Sequence, residues 1–122
     1  YVPKLQLKPV EAIKMIKRIG GVPVLAHPYY GKYYHRNLVW SLVRLGLKGI
    51  EAWHSKHPAK VEENIIKIAD EFELILTGGS DCHGAVANEK PLIGTQKVPY
   101  EILTNLKRCK HEIDRGNRYI FG

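Results

Sequence analysis

The sequence predicts an α/β protein with a parallel sheet, and three observations predict it. Segments with apolar residues at helical spacing alternate with short, β-rich apolar segments. The first extended segment is apolar on both sides, as a strand covered on both faces would be. Glycine and proline mark most junctions between the two kinds. The order is one helix followed by three strand–helix units. Strands separated by helices of this length imply right-handed βαβ crossovers, in a parallel sheet or a barrel.

From Pro9 to Ile19, Val10, Ile13, Ile16 and Ile19 recur at the helix period, while Glu11, Lys14, Lys17 and Arg18 take the remaining faces. Pro9 suits a first turn and Gly20-Gly21 a stop. Val22 to Ala26 reads as a buried strand ended by His27-Pro28. A loop rich in Tyr and Gly follows, then a helix over Arg36 to Leu45 closed by Gly46. Gly49 to Trp53 reads as the second strand, with Glu51 an unusual residue inside it. Pro58 to Phe72 is the clearest helix, because Val61, Ile65, Ile68, Ala69 and Phe72 form one stripe. Leu74 to Thr77 is the third strand, and Gly78-Gly79-Ser80-Asp81-Cys82-His83-Gly84 follows it. A polar loop runs to Val98. Pro99 then opens a helix expected to turn Ile102, Leu103, Leu106 and Cys109 inward, and Tyr119 to Phe121 reads as a short terminal strand.

Composition narrows the class. With 122 residues, 44% hydrophobic and 25% charged, the chain has one domain's length and enough apolar content to exclude disorder. The longest apolar runs, such as Val22 to Ala26, are far too short to span a bilayer, so no membrane partner is expected. No basic, then apolar, leader is present, and Cys82 and Cys109 cannot make a disulfide framework; the expected compartment is the cytoplasm. The net charge of +7 comes from scattered residues, of which Lys14, Lys17 and Arg18 form a solvated helix face. The chain opens on Tyr1 and its only methionine is Met15, which leads us to expect a piece of a longer protein.

The histidines carry the chemistry. His27 closes the first strand, His54 follows the second, and Asp81 and His83 follow the third. In a parallel α/β protein these strand ends share one face, where such folds build their sites. Imidazole and carboxylate are the donors that Zn, Mn and Fe accept. In an extended segment Asp81 and His83 face one pocket while Cys82 turns aside as filler, and nearby Gly78, Gly79 and Gly84 allow a tight backbone. His54 and His57 could bind a phosphate or simply begin a helix. His35 and His111 fall on or beside helix surfaces and are assigned nothing. The loop Tyr29-Tyr30-Gly31-Lys32-Tyr33-Tyr34 interleaves aromatics with a base, which suits base stacking and equally suits a plain surface loop.

Taken together, Gly20 to Pro28 (GGVPVLAHP), Gly49 to Glu51 (GIE) and Thr77 to Gly84 (TGGSDCHG) resemble, in order and spacing, the polymerase and histidinol phosphatase (PHP) family of metal-dependent phosphoesterases. The resemblance runs from the first helix to Ile113. It implies a distorted (β/α)7 barrel holding two or three divalent ions (Mn, Zn or Fe) at the strand C-termini. Carried over, His27, Asp81 and His83 would be metal ligands, and His83 would also lie close to the substrate phosphate; beside that carry-over, His54 or His57 could contact the phosphate. The implied reaction is metal-assisted hydrolysis of a phosphate ester, of a nucleotide, a short RNA end or another phosphorylated small molecule. No general acid or base is assigned.

The chain has no His-x-His before His27 and no early bridging carboxylate, and a (β/α) barrel needs about 200 residues or more. The resemblance therefore implies that residues 1–122 are the C-terminal part of one PHP domain, about three strand–helix units, whose N-terminal part lies outside this chain. Such a piece is expected to be inactive by itself and to expose a surface through which it could self-associate. Two other readings compete: a catalytically inactive PHP-like scaffold or nucleic-acid-binding module, and a flavodoxin-like binding domain made of these three units.

Overall fold

The computed structural model describes residues 6–85 and 90–121. Its elements are α1 (Pro9–Arg18), β1 (Val24–Leu25), α2 (Arg36–Leu45), β2 (Gly49–His54), α3 (Ala59–Glu71), β3 (Ile75–Gly79) and α4 (Glu101–Phe121). The three strands form one sheet in the order β1-β2-β3, and both pairs are parallel. The α/β class and the parallel sheet are as the periodicity predicts.

Each boundary has a local cause. Glu11 accepts a hydrogen bond from the Lys8 N–H at 3.1 Å and so closes the start of α1 behind Pro9. Gly46 adopts φ 111° at the end of α2, a conformation that costs other residues energy. β1 is shorter than Val22 to Ala26 because Pro23 has no N–H to donate; its carbonyl instead accepts from Lys48 and Gly49. β3 begins at Ile75 rather than Leu74, since the Leu74 N–H is taken by the Ala69 carbonyl as α3 ends.

β3 also extends through Gly78 and Gly79, which read as loop in the sequence. Tyr119 to Phe121, expected to be a strand, ends α4 instead: once a helix is nucleated, each further residue adds a hydrogen bond at little cost. Leu103, expected to face inward, is exposed.

The core lies on one face of the sheet. Ile50 and Ala52 of β2 pack with Val39 of α2, Ile65, Ile68 and Ala69 of α3, and Leu74. Leu25 and Leu76, the register partners of Ile50, join from either side. α2 and α3 are also tied at their far ends. The Arg36 guanidinium forks onto the Glu71 carboxylate, with Nε 2.9 Å from Oε1, and lies over the Phe72 ring. That pairing holds the Glu71 carboxyl below its usual range.

A bulge in β2 re-aims the end of that strand. Glu51 pairs with Thr77, yet Trp53 pairs with Gly78, leaving Ala52 as the extra residue. Strict alternation would send Glu51 and Trp53 to one face and Ala52 to the other. Here Ala52 and Trp53, neighbours in sequence, both pack on the core. Gly78 makes room: a Cβ there would stand 2.7 Å from the Trp53 Cβ and 2.9 Å from its carbonyl oxygen. Beyond the bulge, His54 pairs with Gly79 on the side its place in a regular strand would not have reached.

Candidate metal centre

The C-terminal ends of the strands gather five polar side chains. His27 follows β1, Glu51 and His54 lie on β2, and Asp81 and His83 follow β3. Glu51 accepts a 2.6 Å hydrogen bond from the His27 backbone N–H, a short, charge-assisted contact that fixes the turn after β1. The His27 ring lies 5.9 Å from the His54 ring and 5.6 Å from that of Tyr30.

His54 is almost fully buried, with 2% of its surface exposed. Its Nδ1 accepts from the Lys56 N–H at 3.0 Å, which places the ring proton on Nε2, and Nε2 donates to Asp81 Oδ2 at 3.3 Å. The bulge therefore links the second strand to the loop after the third. His83 has the opposite tautomer. Its Nδ1–H donates to the Asp81 carbonyl at 2.7 Å, leaving the Nε2 lone pair free on an exposed ring, 3.9 Å from Asp81 Oδ1. An imidazole held through Nδ1–H by a backbone carbonyl, with Nε2 outward, is oriented as a metal ligand is oriented.

His57 is held in the same manner, by Nδ1–H donation to the Ala52 carbonyl at 2.6 Å. Its Nε2 is buried and has no hydrogen-bond partner among the described residues. The ring stands 5.1 Å from that of His54, so His57 backs the cluster from behind.

Two of the candidate ligands have left-handed backbones: φ is 32° at His27 and 55° at Asp81. For residues other than glycine such conformations cost about 1–3 kcal/mol each and concentrate at functional sites. Cys82, between Asp81 and His83, takes no part. Its thiol sits below the ordinary thiol range, chiefly through the Gly84 backbone and less through Leu92 and Ile93, with desolvation opposing.

The donors suit a divalent cation in kind, since carboxylate and imidazole accept Mn, Zn and Fe. In number they fall short: among the described residues no three His, Cys, Asp or Glu side chains converge as a metal-holding group. The structure brings His54 to Asp81 and His83 to Asp81, and sets His27 beside them without a direct contact to either carboxylate oxygen of Asp81. Sequence reasoning passed over Glu51 as a site residue. Its signal was plain enough, a carboxylate within an otherwise apolar strand. Tyr30, which packs edge-on against both His27 and His54, had no signal beyond its place in the loop. Among the described residues no helix is long and apolar enough to cross a membrane.

No family model matches the chain. Over 74 residues it is 38% identical to a phosphoribosyl 1,2-cyclic phosphate 1,2-diphosphodiesterase of Eggerthella lenta, a match covering 61% of this chain and 28% of that protein. Its fold is similar to the crystal structure of a protein from Bifidobacterium adolescentis described as a metal-dependent phosphoesterase. The TM-score is 0.70 at 28% identity, over 90% of this chain and 39% of the other. It is also similar to an amidohydrolase from Chromobacterium violaceum, solved with bound sulfate and no metal, with a TM-score of 0.63 at 25% identity over 88% and 39% of the two chains. The chain thus spans between a quarter and two-fifths of the length of these relatives. The likeness to PHP-type metal-dependent phosphoesterases, carried in the sequence by three motifs, extends to the fold.

Proposed function

We propose that this chain is the C-terminal part of a PHP-type phosphoesterase and supplies part of its metal site. The whole protein then hydrolyses phosphate esters with two or three divalent ions (Mn, Zn or Fe), in the cytoplasm. One observation carries the reading: His83, locked by the Asp81 carbonyl, presents a free Nε2 beside the Asp81 carboxylate at the strand ends. His27, Asp81 and His83 would hold metal, which when bound supplies a Lewis acid and a water of lowered pKa. His54 holds Asp81 in place, Glu51 holds the turn that carries His27, and His83, with its exposed ring, meets the substrate phosphate; His54 and His57, expected to contact it, are instead engaged with Asp81 and the Ala52 carbonyl and support the cluster from behind.

The shortfall in converging ligands supports the divided site. β1 pairs on one edge only among the described strands, so its free edge is where further barrel strands would continue the sheet. Self-association through that edge is the competing use of the same surface. For substrate, the similarity to a protein named for a cyclic phosphate of phosphoribose favours phosphate esters of a pentose, a class that includes nucleotides and RNA ends. The same shortfall also favours a second reading, an inactive PHP-like scaffold or nucleic-acid-binding module.

One experiment separates them. The full-length protein, purified and stripped with a chelator, is assayed with bis(p-nitrophenyl) phosphate before and after Mn or Zn is restored, alongside elemental analysis. The enzyme reading expects bound metal, loss of turnover on stripping and recovery on reloading. Full turnover after complete stripping, or neither metal nor turnover at any stage, would overturn it, and the latter result selects the scaffold.

A further expected result concerns Glu51. Glu51→Gln keeps the side chain's shape but gives the His27 N–H a neutral partner. Supporting groups around metal ligands are worth about 10–100-fold in affinity or activity, and a loss in that range is expected in a metal titration of the full-length protein. An unchanged affinity would leave Glu51 a purely structural role.

A further inference from the structure

We infer that a polar cavity at the opposite end of the sheet from the candidate metal centre binds a small amphoteric acid of the α-amino dicarboxylate class. The inference goes beyond the phosphoesterase reading and does not depend on it. The cavity lies between α4 and the N-terminal ends of β2 and β3, bounded by Lys48 just before β2 and by Glu73 and Ile75 where β3 begins. Its volume is about 460 Å³, within the range of about 300–1,000 Å³ that small-molecule sites occupy.

One observation is the face that α4 turns to this space. Its positions 105, 108, 109, 112, 113, 116 and 117 line the cavity, and their alternating steps of three and one trace a single side of a helix. A helix that packs on a core carries apolar residues on that side. Here only Ile113 is aliphatic, while Asn105, Arg108, Glu112 and Asn117 are polar or charged. Gly116 has no packing reason either: glycine weakens a helix interior, yet a Cβ there would meet nothing within 4 Å. Polar groups turned inward across an open space suit a ligand site, and a packed core excludes them.

A second observation is that the charges of the lining do not neutralise one another. Lys17, Lys48 and Arg108 line the cavity together with Glu73 and Glu112, and among the described residues none of the five forms an ion pair. Lys17 reaches across Gly46, two residues before Lys48: a Cβ there would stand 3.0 Å from its Nζ. Lys48 and Glu112 both bear on the Cys109 thiol. Burial pushes that thiol above its ordinary range, the Lys48 ammonium draws it down and the Glu112 carboxylate pushes it up. Glu73 takes the left-handed position that ends α3, with φ 55°, where glycine would avoid the strain.

This charge pattern selects the ligand. A polyanion would meet two carboxylates, and a plain amine would meet three cations. The lining has one positive charge in excess, which an acid with two carboxylates and one ammonium balances. The acid's carboxylates then face Lys17, Lys48 and Arg108, its ammonium faces Glu73 and Glu112, and the Asn105 and Asn117 amides both donate and accept. None of these residues belongs to the strand-end cluster.

The test is isothermal titration calorimetry of the full-length protein with L-glutamate, in chelator so that no metal at the strand ends can bind a carboxylate. Saturable binding is expected. Glutarate, which lacks the amine, should bind at least about tenfold more weakly, the scale of one hydrogen-bonded charge. E73Q/E112Q should lose that preference, and K48Q/R108Q should lose at least about tenfold in affinity for both acids. Gly116→Leu favours the helix and fills the cavity, and should abolish binding. K60Q/K67Q, the same loss of charge on α3, should stay within about twofold of the wild type, as a distant site does. The site is overturned if glutamate does not bind, if glutarate binds the wild type as tightly, if Gly116→Leu binds like the wild type, or if K60Q/K67Q loses as much affinity as K48Q/R108Q. The first two outcomes need no variant, so a substitution that fails to fold leaves the test intact. Every titration is done without metal, so failure here leaves the phosphoesterase reading standing, and failure of that reading leaves this site standing.

Discussion

Asp81→Asn should reduce phosphodiester hydrolysis by the full-length protein at least a hundredfold and lower its metal content. The size follows from a comparison. Groups that merely support metal ligands are worth about 10–100-fold, and a ligand itself should be worth no less. Asp81 also accepts from His54 through its carboxylate and from His83 through its backbone carbonyl, so one residue organises two imidazoles. Asparagine is the informative replacement because it tolerates the left-handed backbone at φ 55°, whereas alanine would add strain to the loss of charge. The amide can still accept from His54 Nε2–H, so the loop should keep its shape. Steady-state kinetics with elemental analysis reads the outcome. Near wild-type turnover with full metal occupancy would remove Asp81 from the site.

Ile50→Ala should destabilise the chain by about 2–5 kcal/mol, the range found for removing a large aliphatic side chain from a packed core. Ile50 has no exposed surface and sits in the middle strand, packed with residues from α2 and α3 and flanked by Leu25 and Leu76. The strands on both sides prevent the backbone from collapsing into the void. Domains are stable by only about 5–15 kcal/mol, so this change consumes a large share and could unfold the chain at physiological temperature. Ile50→Val provides the graded companion, at about 0.5–1.5 kcal/mol. Urea denaturation of both variants gives the comparison. Equal midpoints for wild type and Ile50→Ala would mean that the core is not centred where the structure puts it.

Much of this architecture is legible in the sequence, because helical periodicity reports a buried stripe and strand runs report buried faces. Arg36–Leu45 is bounded as its pattern indicates, since Gly46 ends it through a backbone angle that glycine alone adopts cheaply. His27, Asp81 and His83 could be placed at strand ends from order alone. Less could be read where neighbours decide. Gly78 and Gly79 carry no strand propensity and join β3 because Trp53 and His54 of β2 lie alongside them. Tyr119 to Phe121 look like a strand by composition, but they follow eighteen helical residues (101–118) and extend that helix.

By itself, the sequence determined the alternation of helix and strand, the core stripe of α3, and which residues arrive at the strand C-termini. Each of these depends on spacing along the chain. Only the tertiary structure decided that Glu51 reaches back to the His27 backbone, that His54 meets Asp81, and that His83 is held by one nitrogen with the other left free. For His54 the physical reason is the bulge at Ala52. Which side of a sheet a residue faces depends on register with the neighbouring strand, and a single extra residue there reverses it. That register was set by Gly78 making room for Trp53, two residues far apart in sequence that no local pattern pairs.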